Sequence, residues 1–501
     1  MPAQAALVSH GALLLCKVSF TKDMGMMGRS MELKARLAVI VGASLIALVS
    51  ARPYAGGWND GSRLATVESL VDRHTLAIDK SIFVNVVSVE TSPYDSAIMR
   101  DPHRPRSLLG TFDKLWIDGH WYSDKAPVPA LLLALLYQLL QWITGLTAGV
   151  HPQLFCYAMT VLSSGVAYVV AVAAVFDMAT TLRLPMRLRL GVAASFGLAT
   201  LALVYARYVN SHILLLGVTA ALLACHVRLA EGRTARIGML ILLGCLAGFA
   251  YTIDLGVGPP LWLGSVLLTA WRTRSAKALA VILLAALPWL AVHHGINYAI
   301  GGTFKPANAV PEYLAWPHSP FTTNLTGQWS HADAGHFVSY ALQLLVGKKG
   351  FLGHNLPLLL VVPAAVVLWR CRVAHLPEAI FCLAIGGCVW IVYAVGSTNY
   401  AGACVSIRWF VPLVGLGYFV VIALLREAPG AAGDFGILTV GGVALMASAW
   451  PEGPWRLNLL PAYWPIFGVT LAVWLGHRWR VGWSLDESTT SHQQPPQAMA
   501  A

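Results

Sequence analysis

Acidic and basic side chains are scarce in this chain, and their placement narrows what they can do. Ten of its 23 Asp and Glu residues (Asp60, Glu68, Asp72, Asp79, Glu90, Asp95, Asp101, Asp113, Asp118 and Asp124) lie between positions 54 and 129. Solvation alone does not call for such a concentration in a protein so poor in charge. A carboxylate held in place can take the proton of an attacking hydroxyl as a general base. Asp60 is placed for this just after the first apolar run, and Asp124 just before another. Fixed cations stabilise phosphate charge that grows in a transition state. Lys125, the Lys348-Lys349 pair between Gly347 and Gly350, and Arg408 are the candidates. Each residue also has a plainer reading: Asp60 as a helix cap, Asp124 as a turn residue, and the lysines as interfacial side chains reaching for headgroups.

The elements that must hold these residues are membrane-spanning. Of 501 residues, 57% are hydrophobic and only 11% charged, and the mean hydropathy is +0.64. A soluble chain carries about 25% charged residues, so a soluble enzyme, a disordered protein and a disulfide scaffold are excluded. Crossing about 30 Å of hydrocarbon takes roughly 20 apolar residues as a helix. Such runs lie at 36–53, 154–176, 190–207, 212–229, 237–254, 259–271, 278–298, 355–370, 377–397, 409–425, 434–450 and 460–476. Another run, 130–143, is short and carries Gln138 and Gln141.

Charge parity decides how to read 130–143. If it does not cross, twelve basic residues of the short connectors (Arg183, Arg187, Arg189, Arg228, Arg233, Arg236, Arg272, Arg274, Lys277, Arg370, Arg372, Arg426) share one side. Only Arg207, Arg408 and Arg456 take the other. The positive-inside rule makes the first side cytoplasmic. The net charge of +11 is therefore orientation, not nucleic-acid binding. The expected fold is an all-α polytopic membrane protein of about twelve transmembrane helices plus a re-entrant or in-plane helix. Two long extracytoplasmic loops carry amphipathic juxtamembrane helices.

The expected divisions are a cytoplasmic N-terminal segment 1–35, with Met24, Met26, Met27 and Met31 as alternative starts, and a transmembrane module 36–298 with its first outer loop at 54–129. A second outer loop at 299–354, C-terminal helices over 355–483 and a disordered cytoplasmic tail 484–501 follow. Cys156, Cys225, Cys245, Cys382 and Cys388 fall in apolar runs and Cys404 in a connector, and they read as small core hydrophobes. No metal-ligand spacing emerges. Asn324-Leu-Thr326 matches a glycosylation pattern that is frequent by chance.

Within the first outer loop, Leu64, Val67, Leu70, Val71 and His74 recur at helical spacing. Arg63, Glu68, Asp72 and Arg73 take the other face, and Asn59 and Asp60 stand at the N-cap position. An amphipathic helix on the membrane surface is the expectation over 62–74. The segment GTFDKLWIDGHWYSDKAPVPALLLALL then supplies aromatic anchors, Asp124-Lys125 and a Pro-initiated helix.

An acid after span one, an R-x-A-x-x-E surface helix and a Tyr-x-acid-Lys-x-Pro segment form a series that resembles the GT-C superfamily of membrane glycosyltransferases. That group includes aminoarabinose transferases, protein O-mannosyltransferases and the RgtA/B/C/D-like proteins. The resemblance continues through Tyr205-Ala206-Arg207 with Asn210 and His212, then 311–327, 344–360, Ser397-Thr398-Asn399-Tyr400 and Arg408, covering about 36–425. It implies transfer of a sugar from a polyprenyl-phosphate carrier to a glycan, lipid or protein acceptor at the outer face of the plasma (inner) membrane, with inversion. Its implied base is Asp60. Its implied substrate contacts are Asp124, Lys125, Asn210, His212, Lys348, Lys349 and Arg408, among membrane lipids, with no metal site assigned. This chain departs from the pattern in having Asp124 where relatives often have Glu, Ala126-Pro127 where they have Pro-Pro, and His212 where several have an acid. His293, His294, Asn297 and Tyr298 read as a polar belt at a span end.

Two other classes compete. A secondary transporter places ionisable residues near the bilayer midplane and repeats its broken helices. Here Asp177, Asp254 and Glu427 sit at span ends, and the Gly256–Pro260 break has no counterpart in the other half. The other is an envelope-assembly protein without turnover.

Overall fold

The computed structural model describes residues 30–84, 110–232, 236–317, 319–321, 326–456 and 459–482. Of the expected start sites Met24, Met26 and Met27, together with Glu90, Asp95, Asp101, Asn324 and the C-terminal tail, lie outside them, while Met31 falls in the first described helix. The helices are α1 (Ser30–Ser50), α2 (Trp58–Asp72), α3 (Pro127–Thr144), α4 (Pro152–Thr181), α5 (Met186–Leu198), α6 (Ser211–Glu231), α7 (Ile237–Ile253), α8 (Gly258–Thr273) and α9 (Ala276–Gly301). They continue as α10 (Ala334–Leu345), α11 (Leu356–Cys371), α12 (Leu376–Val395), α13 (Leu413–Glu427), α14 (Pro429–Ala449) and α15 (Tyr463–Val481). Every expected span is occupied by a helix, and the protein is an all-α polytopic membrane protein. One run differs. The 190–207 stretch breaks after Leu198, and the chain restarts as a short helix at Leu201. Thr200 caps the new start by accepting from Ala202 N, and the Asn355 side chain accepts from Leu201 N.

The two ends of the bundle differ in character. At one end Arg36 and Arg228 both hold Asp177, at 2.8 and 2.9 Å. Nearby elements add the pairs Arg272–Glu378 and Arg478–Asp434, and His375 against Glu231. This is the end that charge parity assigns to the basic connectors. At the other end Arg52 N donates to Arg207 O and Trp450 Nε1 donates to Ser50 Oγ.

The α3 helix is tied to this second end at both of its termini. Ser62 near the start of α2 meets Ser123 at 2.6 Å, just before α3 begins. Asp72 at the end of α2 accepts from Tyr137 and Gln141 in the second half of α3. The two helices therefore run side by side, with Leu135, Leu139, Trp142 and Ile143 of α3 facing out. At 18 residues, α3 is long and apolar enough to cross. Its pairing with α2 at both ends is compatible with the in-plane helix that charge parity leads one to expect. Reporters inserted after Arg52 and after Leu146 are expected on the same side of the membrane; signals from opposite sides would make α3 a crossing helix.

Between α2 and α3 lies a feature not anticipated from the sequence, a hairpin of β1 (Lys114–Ile117) and β2 (His120–Ser123). They pair antiparallel with Lys114 opposite Ser123 and Ile117 opposite His120. Asp118-Gly119 makes the turn, with positive φ at both residues (49° and 83°), the conformation favoured in a two-residue hairpin loop. The hairpin places Asp113, Lys114, Asp124 and Lys125 together above the membrane helices.

The α7–α9 pair forms another wall. Gly244 and Gly248 lie one turn apart on α7 and let it approach the α9 backbone closely, as small residues do between membrane helices. A Cβ at 248 would lie 2.8 Å from Ala286 Cα, and one at 244 would collide with Ile282 O. Gly248→Val is expected to lower thermal stability in detergent by about 1–3 kcal/mol through overpacking. An unchanged melting temperature would mean the helices separate at little cost.

The cysteines are all free where described, but the sequence reading of them is only partly right. Cys156, Cys225, Cys382 and Cys404 are buried, whereas Cys388, like Cys371, faces outward. In a span that faces lipid, a small apolar thiol needs no core.

Candidate active site

The α2 helix begins earlier than its sequence pattern suggests, at Trp58, with Gly57 as a cap that offers no side chain. Asp60 is therefore not the N-cap but a first-turn residue. There its carboxylate folds back, and Oδ2 accepts from Gly56 N at 2.9 Å and from Trp455 Nε1 at 2.8 Å. The polar face of α2 meets protein instead of water: Arg63 and Glu68 are buried along with the apolar residues. Glu68 is held by Arg73, Ser81 and the Ile82 amide. Asp60 lies outside the spans and is fully buried, which pushes its pKa up to about 8 against the lowering effect of Trp455 and Gly56. Its Oδ1 has no partner.

A cavity of about 590 Å³ opens beside α2, within the 300–1,000 Å³ range of small-molecule sites. Lys125, Asp113 and Asp124 from the hairpin region line one part of it, joined by Arg63, His212 and Arg408. Lys125 Nζ lies 2.7 Å from both Asp113 Oδ2 and Asp124 Oδ2. Burial raises the Asp124 pKa, with Lys125 pulling the other way. Lys114, behind this cluster, stacks its ammonium 4.2 Å from the Trp121 ring. Burial lowers its pKa to about 8.

The two arginines differ from Lys125 in having spare donors. Arg63 gives Nη2 to Ser211 Oγ at 2.9 Å, but its Nε and Nη1 are buried without partners. Burial lowers its pKa while Asp124, Asp60 and Asp113 oppose that shift. Arg408 stands 5.8 Å from the Trp455 ring, makes no ion pair among the described residues, and has an unpartnered Nε. Buried polar groups are nearly always hydrogen-bonded, so unpartnered N–H groups on two guanidiniums beside one cavity call for an anionic occupant. Arg63 was missed as a site residue because amphipathic spacing assigns it to a solvated face.

The remaining expected site residues separate. Asp124, Lys125, His212 and Arg408 meet at the cavity. Asp60 does not line it, although its neighbours Asn59 and Arg63 do. Asn210 caps α6: its Oδ1 accepts from Ile213 N, and its Nδ2 donates to the carbonyls of Tyr205 and Tyr208. Its polar atoms are thereby committed to the backbone. Lys349 donates to Gly402 O at 2.6 Å, reaching the rim through that loop, and burial lowers its pKa. Lys348 is exposed. The expected polar belt at the end of α9 also divides. Tyr298 is exposed, while His293 and Asn297 are buried and line the cavity. Among the described residues no cluster of three or more metal-ligating side chains forms.

No family model and no curated protein sequence matches the chain. Solved structures do resemble it. ArnT from Cupriavidus metallidurans in the apo state is 17% identical with a TM-score of 0.47, covering 82% of this chain and 64% of that one. The same protein bound to undecaprenyl phosphate is 15% identical at a TM-score of 0.46, covering 88% and 75%. The apo oligosaccharyltransferase of Archaeoglobus fulgidus is 13% identical at 0.39, covering 87% and 56%. The chain thus spans a little under two thirds of the apo ArnT chain. Both proteins are GT-C enzymes.

Proposed function

We propose that this protein transfers a sugar from a polyprenyl-phosphate carrier to an acceptor at the extracytoplasmic face of the membrane. The observation that carries the reading is the pair of guanidiniums, Arg63 and Arg408, with unpartnered N–H groups beside the cavity that Lys125 also lines. A lipid phosphate lies at headgroup depth, where the cavity-bearing end of the bundle sits. The basic connectors gather at the opposite end, so the cavity faces away from the cytoplasm.

In the reaction an acceptor hydroxyl oxygen attacks the anomeric carbon. The bond from that carbon to the phosphate oxygen breaks with its electron pair, releasing polyprenyl phosphate and inverting the centre. Charge accumulates on the phosphate as this bond breaks, and donors already fixed around it lower the barrier. The hydroxyl proton goes to a carboxylate. Asp124 is the first assignment, by its place on the cavity wall. Asp60, the base the resemblance implies, is the second reading: it is off the cavity wall, but its Oδ1 is uncommitted and its pKa of about 8 makes it a stronger base than an ordinary carboxylate once ionised.

Purified protein should release polyprenyl phosphate from a polyprenyl-phosphate sugar only when an acceptor is supplied. Solute transport by reconstituted vesicles without any sugar transfer would overturn the class.

A further inference from the structure

The cavity has a second polar region, away from the hairpin, where α7 ends and α9 passes it. Asp254 follows the last residue of α7. Its Oδ1 accepts from Gly256 N at 2.9 Å, Val257 N at 3.0 Å and Tyr393 OH at 3.2 Å. Oδ2 makes no hydrogen bond among the described residues, and the side chain lines the cavity. Three donors on one oxygen fix the carboxylate and leave the other oxygen for an occupant.

Across this region stands His293 of α9. It is only 2% exposed, lines the same cavity, and neither Nδ1 nor Nε2 has a partner. The ring is wedged edge-on against Tyr251 at 6.0 Å and His294 at 5.1 Å. His294, by contrast, is committed on both nitrogens, to Tyr251 OH and Phe304 O. A packed imidazole with two idle nitrogens is costly unless something bonds to it. The neutral ring offers one donor and one acceptor, and Asp254 Oδ2 offers acceptors only. Neighbouring hydroxyls on a saturated ring, each both donor and acceptor, suit this set. Arg63 is near enough to act on the Asp254 carboxylate, so the cations and this hydroxyl-reading pair adjoin in one cavity, as the phosphate and the ring of a sugar phosphate ester adjoin.

We infer that His293 and Asp254 form the subsite that reads the hydroxyl groups of the transferred sugar, and so set which sugar is accepted. The inference rests on the proposed function, which supplies the phosphate end. Asn297 is a positioning residue here. Its Nδ2 donates to His293 O and its Oδ1 accepts from Ala307 N, which locks the helix turn bearing the imidazole to the loop closing the cavity.

The test uses the full chain in lipid nanodiscs and compares binding of sugar-free polyprenyl phosphate with polyprenyl phosphates bearing glucose, galactose or arabinose. Wild type is expected to bind at least one sugar-bearing donor more tightly than the sugar-free lipid. His293→Phe and Asp254→Asn should each reduce that preference by roughly 10-fold, the loss of one hydrogen bond to a buried polar group, with sugar-free binding unchanged in His293→Phe and shifted in Asp254→Asn only through the lost charge beside Arg63. His293→Gln keeps a donor and an acceptor and should recover part of the preference. It also serves as the reporter if Asp254→Asn fails to fold. Wild-type preference retained in His293→Phe, or a wild type that binds every lipid equally, would overturn the subsite. A wild type that binds no polyprenyl phosphate overturns the proposed function instead, so the two failures are distinguishable.

Discussion

Replacing Arg408 by Ala should weaken polyprenyl phosphate binding by roughly 10- to 100-fold, the worth of one or two hydrogen bonds to a charged group. Arg63→Ala should act in the same direction. The reasoning turns on which cations are already spent. Lys125 is shared between Asp113 and Asp124 at 2.7 Å each, so its charge is compensated before a ligand arrives. Arg408 has no such partner among the described residues, and Arg63 satisfies only one nitrogen through Ser211. Arg408→Lys restores charge but not the planar fork, and is expected to recover binding only partly. Lys348→Ala is the control: that side chain is exposed and off the cavity, and an effect below 2-fold is expected. Titration of the lipid into nanodiscs reads all four variants. Equal affinity for wild type and Arg408→Ala would remove this residue from the phosphate site.

What could be read from the sequence and what could not follows from the physics of each signal. The spans were legible, and an in-plane α3 could be expected, because both rest on quantities summed over many residues. Run length against bilayer thickness gave the first, and the side taken by twelve basic residues gave the second. The break after Leu198 was not legible, since residues 190–207 are continuously apolar and the break depends on Thr200 and the distant Asn355. Arg63 was misplaced for a different reason. Helical periodicity distinguishes faces of α2, but it cannot say whether the polar face meets water or a cavity. His293 and Asn297 were grouped with exposed Tyr298 because all three end one span. Their burial depends on which side of α9 meets α7, and Gly244 and Gly248 decide that. The hairpin was legible in principle from Asp118-Gly119 between Trp- and Tyr-bearing runs, a two-residue turn signal.

The carboxylate assignment carries the second large effect, and Asp60→Asn separates its two versions. In the folded protein Asp60 loses its proton near pH 8, against 3.8 as the ordinary value. Below 3.8 both folded and unfolded states hold the proton. Between 3.8 and about 8 the unfolded chain gives it up while the folded chain retains it. Folding is therefore progressively disfavoured as pH rises, and the loss levels off above the folded pKa. Asn lacks this penalty, and its side-chain oxygen can still accept from Gly56 N and Trp455 Nε1. Asp60→Asn should thus melt higher than wild type, with a gap that widens from pH 5 to pH 8. A constant gap would mean that Asp60 is ionised throughout. The kinetic arm is independent of the first. If Asp60 is the base, wild-type transfer rises through pH 8 as the carboxylate ionises, and the stable Asn variant loses it by at least the 10²-fold typical of general bases. If Asp124 is the base, Asp60→Asn stays active and Asp124→Asn carries the loss. Asp124→Asn keeps Lys125 paired with Asp113 at 2.7 Å, so phosphate binding should survive in that variant and the defect should appear in kcat. A variant that binds the lipid normally, melts no lower than wild type and turns over slowly then identifies the group that takes the proton.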